Sequence, residues 1–428
     1  MLLKKDTLYK YIIGVLLIAP PLISSIEFNI VLLSLVTILV LYNLNFKYSK
    51  TLIKLIFPLI VVFLIAIFSS FFFPSELFNI IKDFFFLAKP VLYILIGYFF
   101  ISKIKDKEFL YKIIIYLGVF FAIIHVYLTL YFISNNVDFN VNKLRNFAGR
   151  GNAIEIFALV IFLSKKGKEL FRLNSKYKNL IKFILVFSFL CYMSRTVTVS
   201  VIILFLAING YLALTRKGVL YMFGFFIAVS LFYIYLFSVD LQRGATGLEG
   251  FLYKLKIAPA EIFDSKINIK DHTDLWDHWR AYEAQKAFEQ INDTPLGIGL
   301  FIGKGVGSLV DLEFVAPLNE EGIQYITTLH NGYSYITFKS GFLGLLAFLL
   351  FLLILYMRVY IKSNNFKVII TNNLLSGIAI YYMFTTLIVS GIYNPRDFGG
   401  IIIGGLLFLN YFNKSDKNLI KTDLKELS

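Results

Sequence analysis

One cysteine, two tryptophans, four histidines and a charged fraction of only 16% are what the chain has little of. Each shortage excludes something. Cys191 on its own can form neither an intrachain disulfide nor a cysteine metal site, so cysteine usage says nothing of redox compartment. Ordinary soluble domains carry roughly 25% charged residues; 16%, with 58% hydrophobic and 18% aromatic, excludes that class. What is present is a polytopic membrane protein. The formal net charge of +15 would also suit nucleic acid. The lysines and arginines, however, gather in short segments between apolar runs, as the positive-inside rule places them. The charge is read as a topology signal, and no nucleic-acid partner is expected.

Apolar runs long enough to cross a bilayer, about 17–25 residues each, fall at 8–26, 28–44, 53–73, 84–101, 110–133, 152–164, 180–193, 197–214, 218–239, 341–360, 369–390 and 398–412. Three of them, 152–164, 180–193 and 398–412, are short. Lys4, Lys5 and Lys10 precede the first run in the manner of a signal peptide, but no small-residue cleavage site follows, and a retained helix is expected. With that end inside, the basic clusters around Lys47, Lys50 and Lys54, Lys103–Lys112, Lys165–Lys182 with Arg172, Arg216 and Lys217, Arg358–Lys367, and the lysines after Asn413 all fall inside too. The expected fold is an all-α polytopic membrane protein of about twelve transmembrane helices with one large, partly helical outside loop. Its organisation reads as nine helices over 1–239, the loop over 240–330, three helices over 331–412 and a solvated cytoplasmic tail over 413–428.

Polar chemistry concentrates in and around the loop. Asp274 to Ile291 reads as one helix, with Leu275, Trp279 and Tyr282 on one stripe and Trp276, Arg280, Glu283 and Ala287 on the next. Pro295 ends it, and Gly297, Gly299, Gly303, Gly305 and Gly307 follow in what reads as a flexible connection. Arg195 stands in a loopless turn between two runs. An arginine at bilayer depth costs on the order of 3 kcal/mol on insertion scales, so it implies an anionic partner; the competing reading is a side chain snorkelling to headgroups. Arg280 has Asp277 at i−3 and Glu283 at i+3, either of which would absorb it in a helical salt bridge. The flanking Trp276 and Trp279 suit stacking on its guanidinium or a membrane interface. His330, with Asn331 beside it, precedes a long apolar run, and an imidazole titrating near ~6.5 can accept a proton at neutral pH; a structural histidine is the alternative.

Two further signals are set aside. In DHTDLWDH (271–278) the two histidines lack paired-ligand spacing, so the acids are assigned to a helix start and no metal is expected. Lys304 is followed by glycine and the upstream spacing fails, so the glycine run is not a nucleotide-binding loop. Two arginines and a histidine outside a many-span protein suit a lipid that carries phosphate. Arginine forks grip phosphate oxygens, and a diphosphate leaves readily once its charge is balanced.

The SRT turn (Ser194, Arg195, Thr196), Arg280 followed by a helix and the turn Pro295, Gly297, Gly299, and LHNGYSYITFKSGFLGLL from Leu329 together resemble the O-antigen polymerase and O-antigen ligase superfamily of bacterial inner-membrane glycosyl transferases. Arg145 through Asn152 is similar to that family's arginine-to-Gly-Asn segment before a middle span. The resemblance covers roughly 145–350. It implies a transferase without cofactor or metal, acting on undecaprenyl-diphosphate-linked oligosaccharide at the periplasmic face of the inner membrane. It also implies a chain-length regulator and a flippase of the same pathway as partners. Carried over, Arg195 and Arg280 would hold the donor diphosphate and His330 would activate the acceptor, as the catalytic set. Arg145, Arg150, Asn331, Trp276 and Arg396 are the expected substrate contacts. Polymerase is the favoured reading and transfer of the finished glycan to lipid A-core the alternative. A flippase or transporter is a third; it predicts mid-span charges, of which few occur, such as Lys82, Asp83 and Lys89.

Overall fold

A computed structural model of the chain describes every residue except 1–4, 24, 43–48, 136–140, 172–175, 244, 246, 264–266, 268–270, 318–321 and 427–428. Of the basic residues used for topology, Lys4, Lys47 and Arg172 lie outside the described residues, as do the side chains of Lys217, Lys417, Lys421 and Lys425. Among the described residues the protein is mostly helical, at 77%. The first part runs through α1 (Lys5–Leu22), α2 (Ile26–Tyr42), α3 (Lys50–Ser69), α4 (Leu77–Lys103), α5 (Phe109–Asn135), α6 (Val141–Ala148), α7 (Asn152–Leu163), α8 (Lys178–Cys191), α9 (Arg195–Ile208) and α10 (Arg216–Ser238). The large loop holds α11 (Gly247–Ile257), α12 (Ala260–Phe263), α13 (His272–Asp277), α14 (Trp279–Asn292) and α15 (Ile298–Ile302), then strands β1 (Val310–Ala316) and β2 (Ile323–Ile326). Helices α16 (Gly332–Tyr356), α17 (Phe366–Val389) and α18 (Gly399–Glu426) close the chain.

A helix stands at each of the twelve apolar runs. Among the described residues, five helices are long and apolar enough to cross a membrane: α3, α4, α5, α16 with the turn that extends it to Tyr360, and α17. The apolar stretches of α2, α7, α9 and α10 are shorter. Helix α7, with 12 residues, spans about 18 Å at 1.5 Å per residue. That falls short of a hydrocarbon core of about 30 Å.

Three sequence expectations are refined. The helix expected from 341 has a further helical segment before it: Asn331 starts α16 by accepting from the Tyr333 and Ser334 N–H groups, and Gly341 (φ 65°) is a non-helical kink where the expected run begins. The helix at the run 398–412, α18, continues through the segment expected as a cytoplasmic tail, to Glu426. An all-α fold is also too simple. β1 and β2 pair antiparallel with Val310 opposite Ile326, and the hairpin packs on α14, where the Tyr282 hydroxyl donates to Leu312 O at 2.5 Å.

Close helix packing relies on small residues, as expected where apolar surroundings offer helices no hydrophobic reason to associate. At the α4–α18 crossing a Cβ on Gly97 would lie 2.1 Å from Ile401 O, and one on Gly404 2.0 Å from Ile94 O. The loop is fixed to this bundle by the glycine run, which is a rigid joint and not the flexible connection its composition suggests. Gly303 has φ +75° and no room for a side chain, with Lys339 C 2.4 Å from its would-be Cβ. Its carbonyl accepts from Ser69 Oγ at 2.5 Å. Lys304 N donates to Phe338 O (2.7 Å), Gly305 N to Lys339 O (3.1 Å) and Val306 N to Ala66 O (3.2 Å). Beneath this joint Asp83 accepts from Gly307 N at 2.8 Å and pairs with Lys339, both side chains being fully buried. Lys339 also donates to Ser308 O. Asp83 is therefore an anchor for the loop, and not part of a charged pathway.

Candidate functional site

Arg195 is the first residue of α9. Ser194 caps that helix by accepting from Val197 N, which sets the guanidinium beside a positive helix end. Its Nη1 donates to Lys254 O, and its Nη2 lies 3.2 Å from both carboxylate oxygens of Glu261 on α12. Arg280 is the second residue of α14, and its Nη1 donates to Glu261 Oε2 at 2.9 Å. One glutamate thus holds both arginines.

Neither salt bridge weighed for Arg280 within the loop helix is found: a break at His278 (φ −113°) separates Asp277 on α13 from Arg280 on α14, and Glu283, on α14 itself, is taken up by His330. Asp277 instead pairs with Arg243 at 2.8 Å and accepts from the Tyr253 hydroxyl at 3.2 Å. Glu283, only 2% exposed, faces His330. It accepts from His330 N at 2.9 Å, and both its oxygens lie 3.0 Å from His330 Nδ1. An ionised carboxylate only accepts, so Nδ1 carries the hydrogen and the Nε2 lone pair is left available. The imidazole is half exposed, at 51%. Its backbone is fixed as well, with His330 O accepting from Ser390 N at 2.8 Å.

These groups line a cavity of two lobes that share Arg145, Thr196, Trp276, Arg280, His330 and Ile388. The narrower lobe, about 600 Å³, adds Arg195, Lys254, Glu261, Tyr233 and Trp279. The wider, about 1180 Å³, adds Arg150, Tyr192, Tyr381, Asn394 and Arg396. Electrostatically the narrow lobe is cationic. Burial, together with the nearby Arg195 and Arg280 charges, pushes the Arg145 guanidinium below its ordinary pKa, against the pull of Glu261. Burial and the charges of Arg145 and Arg195 likewise depress Lys254, against Glu261 and Asp277. A lobe in which cations depress one another is built to receive an anion.

The structure therefore brings together Arg195, Arg280, His330, Arg145 and Trp276, and places Arg150 and Arg396 in the adjoining lobe. Asn331 is elsewhere: it caps α16 and lines neither lobe. The two tryptophans do not bracket Arg280. Trp279 is buried against Tyr282 and Phe314, while Trp276 is 38% exposed and stacks on Trp279 with centroids 5.0 Å apart. In the acidic segment 271–278, His278 Nδ1 pairs with Asp274 Oδ1 at 2.9 Å; the His272 side chain lies outside the described residues. Glu261, Glu283 and Lys254 are site residues that sequence reasoning missed. Glu283 carried a signal, since it shares a helix face with Arg280. Glu261 and Lys254 carried none, lying in a stretch without a motif.

Residues 180–349 match the family model described as O-antigen ligase. The matched segment contains Arg195, Glu261, Arg280, Glu283 and His330, and it supports the O-antigen polymerase and ligase superfamily. Members of that family are glycosyltransferase-like enzymes acting on lipid-linked oligosaccharides in a membrane. No curated protein matches the chain.

Proposed function

We propose that the chain is a surface-polysaccharide polymerase that joins undecaprenyl-diphosphate-linked repeat units at the periplasmic face of the inner membrane. The observation that carries this reading is the shared cavity in which an arginine pair and a carboxylate-oriented histidine meet. The narrow lobe suits the donor diphosphate, which Arg195 and Arg280 grip with charge-assisted hydrogen bonds while Arg145 and Lys254 add positive field. The acceptor hydroxyl gives its proton to His330 Nε2 as its oxygen attacks the anomeric carbon of the donor. The bond from that carbon to the diphosphate oxygen breaks, and the electron pair leaves on undecaprenyl diphosphate, where the arginines balance it. Attack from the face opposite the leaving group inverts the anomeric centre. Glu283 holds the imidazole by Nδ1 and stabilises the imidazolium that forms.

The wider lobe supports an acceptor that is itself a glycan on a lipid diphosphate. Trp276, partly exposed, offers a face to a sugar ring, and the exposed Arg150 and Arg396 are near. The alternative is ligation of the glycan to lipid A-core, and the family match supports either acceptor. Purified protein given lipid-linked repeat units tests the proposal: chain extension that falls steeply to a residual rate in His330→Ala supports it, and extension at the wild-type rate in that variant sinks the transfer mechanism. Deleting the gene separates the acceptors. Single-repeat-capped lipopolysaccharide indicates a polymerase, whereas long carrier-linked chains with bare core indicate a ligase.

A further inference from the structure

The two arginines assigned to the donor phosphates are already occupied. Glu261 presents both carboxylate oxygens to Arg195 Nη2, at 3.2 Å each, and Oε2 also accepts from Arg280 Nη1 at 2.9 Å. This is how a phosphate oxygen pair would sit between two guanidinium forks. Resting on the donor-lobe reading above, we infer that Glu261 is a resident stand-in for the donor diphosphate. It holds Arg195 and Arg280 in phosphate-binding geometry in the empty site, yields to the diphosphate when the donor enters, and returns to help expel undecaprenyl diphosphate.

Four observations carry this exchange. The Glu261 side chain is 16% exposed and lines the cavity, so a ligand reaches it. It rides on a helix of only four residues, Ala260–Phe263, packed against α14, which carries Arg280. The arginines are not saturated by it, because Arg280 Nε is buried without a hydrogen-bond partner among the described residues. Charge also favours the newcomer. Arg145, Arg195, Lys254 and Arg280 line the narrow lobe with two carboxylates, Glu261 and Asp277. Asp277 is held by Arg243. A diphosphate brings more negative charge than the single carboxylate it would replace, so exchange leaves the cations better compensated. A site with its counter-ion built in avoids stranding neighbouring cations when empty, at the cost of weaker apparent donor binding.

The experiment measures binding of undecaprenyl diphosphate to the purified full-length protein, with inorganic pyrophosphate as competitor, for wild type, Glu261→Gln and Glu261→Asp, alongside thermal unfolding. Removing the competing charge raises apparent affinity, since a larger fraction of molecules presents free arginines: at least about threefold for Glu261→Gln, and less for Glu261→Asp, whose shorter carboxylate reaches less well. Inhibition of turnover by undecaprenyl diphosphate deepens in the same order. Unchanged or weaker binding in a variant that unfolds at the wild-type temperature would make Glu261 a fixed scaffold and overturn the inference. If Glu261→Gln fails to fold, Glu261→Asp decides by the same sign. Binding to wild type that Arg195→Ala and Arg280→Ala leave untouched would remove the donor-lobe reading itself, and this inference with it.

Discussion

Replacing Glu283 by glutamine tests whether the buried carboxylate serves His330 chemically or only props it in place. Glutamine keeps the shape and one acceptor oxygen, so the backbone N–H or Nδ1–H of His330 retains a partner, but the negative charge is lost. At the 3.0 Å separation found here, a full charge pair is worth roughly 5 kcal/mol at an effective dielectric of ~20. The imidazole is 51% exposed, and solvent screening reduces the part felt in the transition state to about 2 kcal/mol. That corresponds to a fall of about thirtyfold in kcat. The donor KM should hold, because Glu283 does not touch the arginine pair. The assay is polymer formation from lipid-linked repeats over a range of donor concentrations, giving kcat and donor KM, run as a double-mutant cycle with His330→Ala. In the His330→Ala background the Glu283→Gln change should cost nothing more, since the group it acts through is gone. An equal loss in both backgrounds, or a loss confined to donor KM, would refute the orienting role.

Further outcomes follow from other pairs. Arg195→Ala and Arg280→Ala each raise donor KM and lower kcat, and Arg195→Lys rescues only part of the loss because an ammonium cannot make the paired fork; full rescue by lysine in steady-state kinetics would contradict the bidentate reading. Asp83→Ala strands the fully buried Lys339 charge and should cost about 3–5 kcal/mol of stability, while Asp83→Leu with Lys339→Met recovers most of it in the same unfolding assay. Gly303→Ala, forced to φ +75° against Lys339 C, should lose roughly 2 kcal/mol or more by strain and overlap, and a neutral result in unfolding would show the joint to be loose. Lys286, donating at 2.8 Å, holds Glu289 below the usual carboxylate range. A depressed carboxylate contributes stability above its unfolded value near ~4.3 that is lost as pH falls through the lower folded value. The gap in Tm between wild type and Lys286→Met should therefore be steady near neutrality and close in acid.

Hydrophobic runs located the helices because apolar length alone signals them; helix ends were less legible. The first turns of α16 rest on Asn331 acting as a cap, a local hydrogen bond that hydropathy does not register, whereas the boundary at 341 is legible because the non-helical Gly341 divides the polar first turns from the apolar run. Arg195, Arg280 and His330 were visible as charges or polar groups out of place beside apolar runs. Their partners were not. Glu261 pairs with residues 66 and 19 positions away, and Glu283 with one 47 positions away, and single-chain periodicity carries no information about such contacts. The glycine run misled for a related reason. Glycine marks both looseness and close approach, and only the backbone of Lys339 and Ser340 lying against Gly303 distinguishes them.

Two acid–base centres, one fully buried and one on the cavity wall, show why the same residue types serve opposite purposes. Asp83 and Lys339 are each fully buried, and the Asp83 carboxylate also receives Gly307 N. No ligand can reach that pair, and separating it would leave two charges in a medium that cannot solvate them, so it can only lock the loop to α4 and α16. Arg195, Arg280 and Glu261 keep 23%, 28% and 16% of their side chains accessible on a cavity wall. There a competing anion meets the arginines without first crossing an apolar barrier, and water can solvate the displaced carboxylate. The rigid pair makes the exchangeable one usable. Unless Asp83 and Lys339 fixed the loop, Arg280 on α14 would not be held opposite Arg195 on α9, and the phosphate-sized gap between them would not persist when Glu261 leaves it. Asp83→Leu with Lys339→Met, stable but without the ion pair, should thus retain its fold and still show weakened donor binding; wild-type donor KM in that variant would mean that the loop is positioned by its hairpin and glycine joint alone.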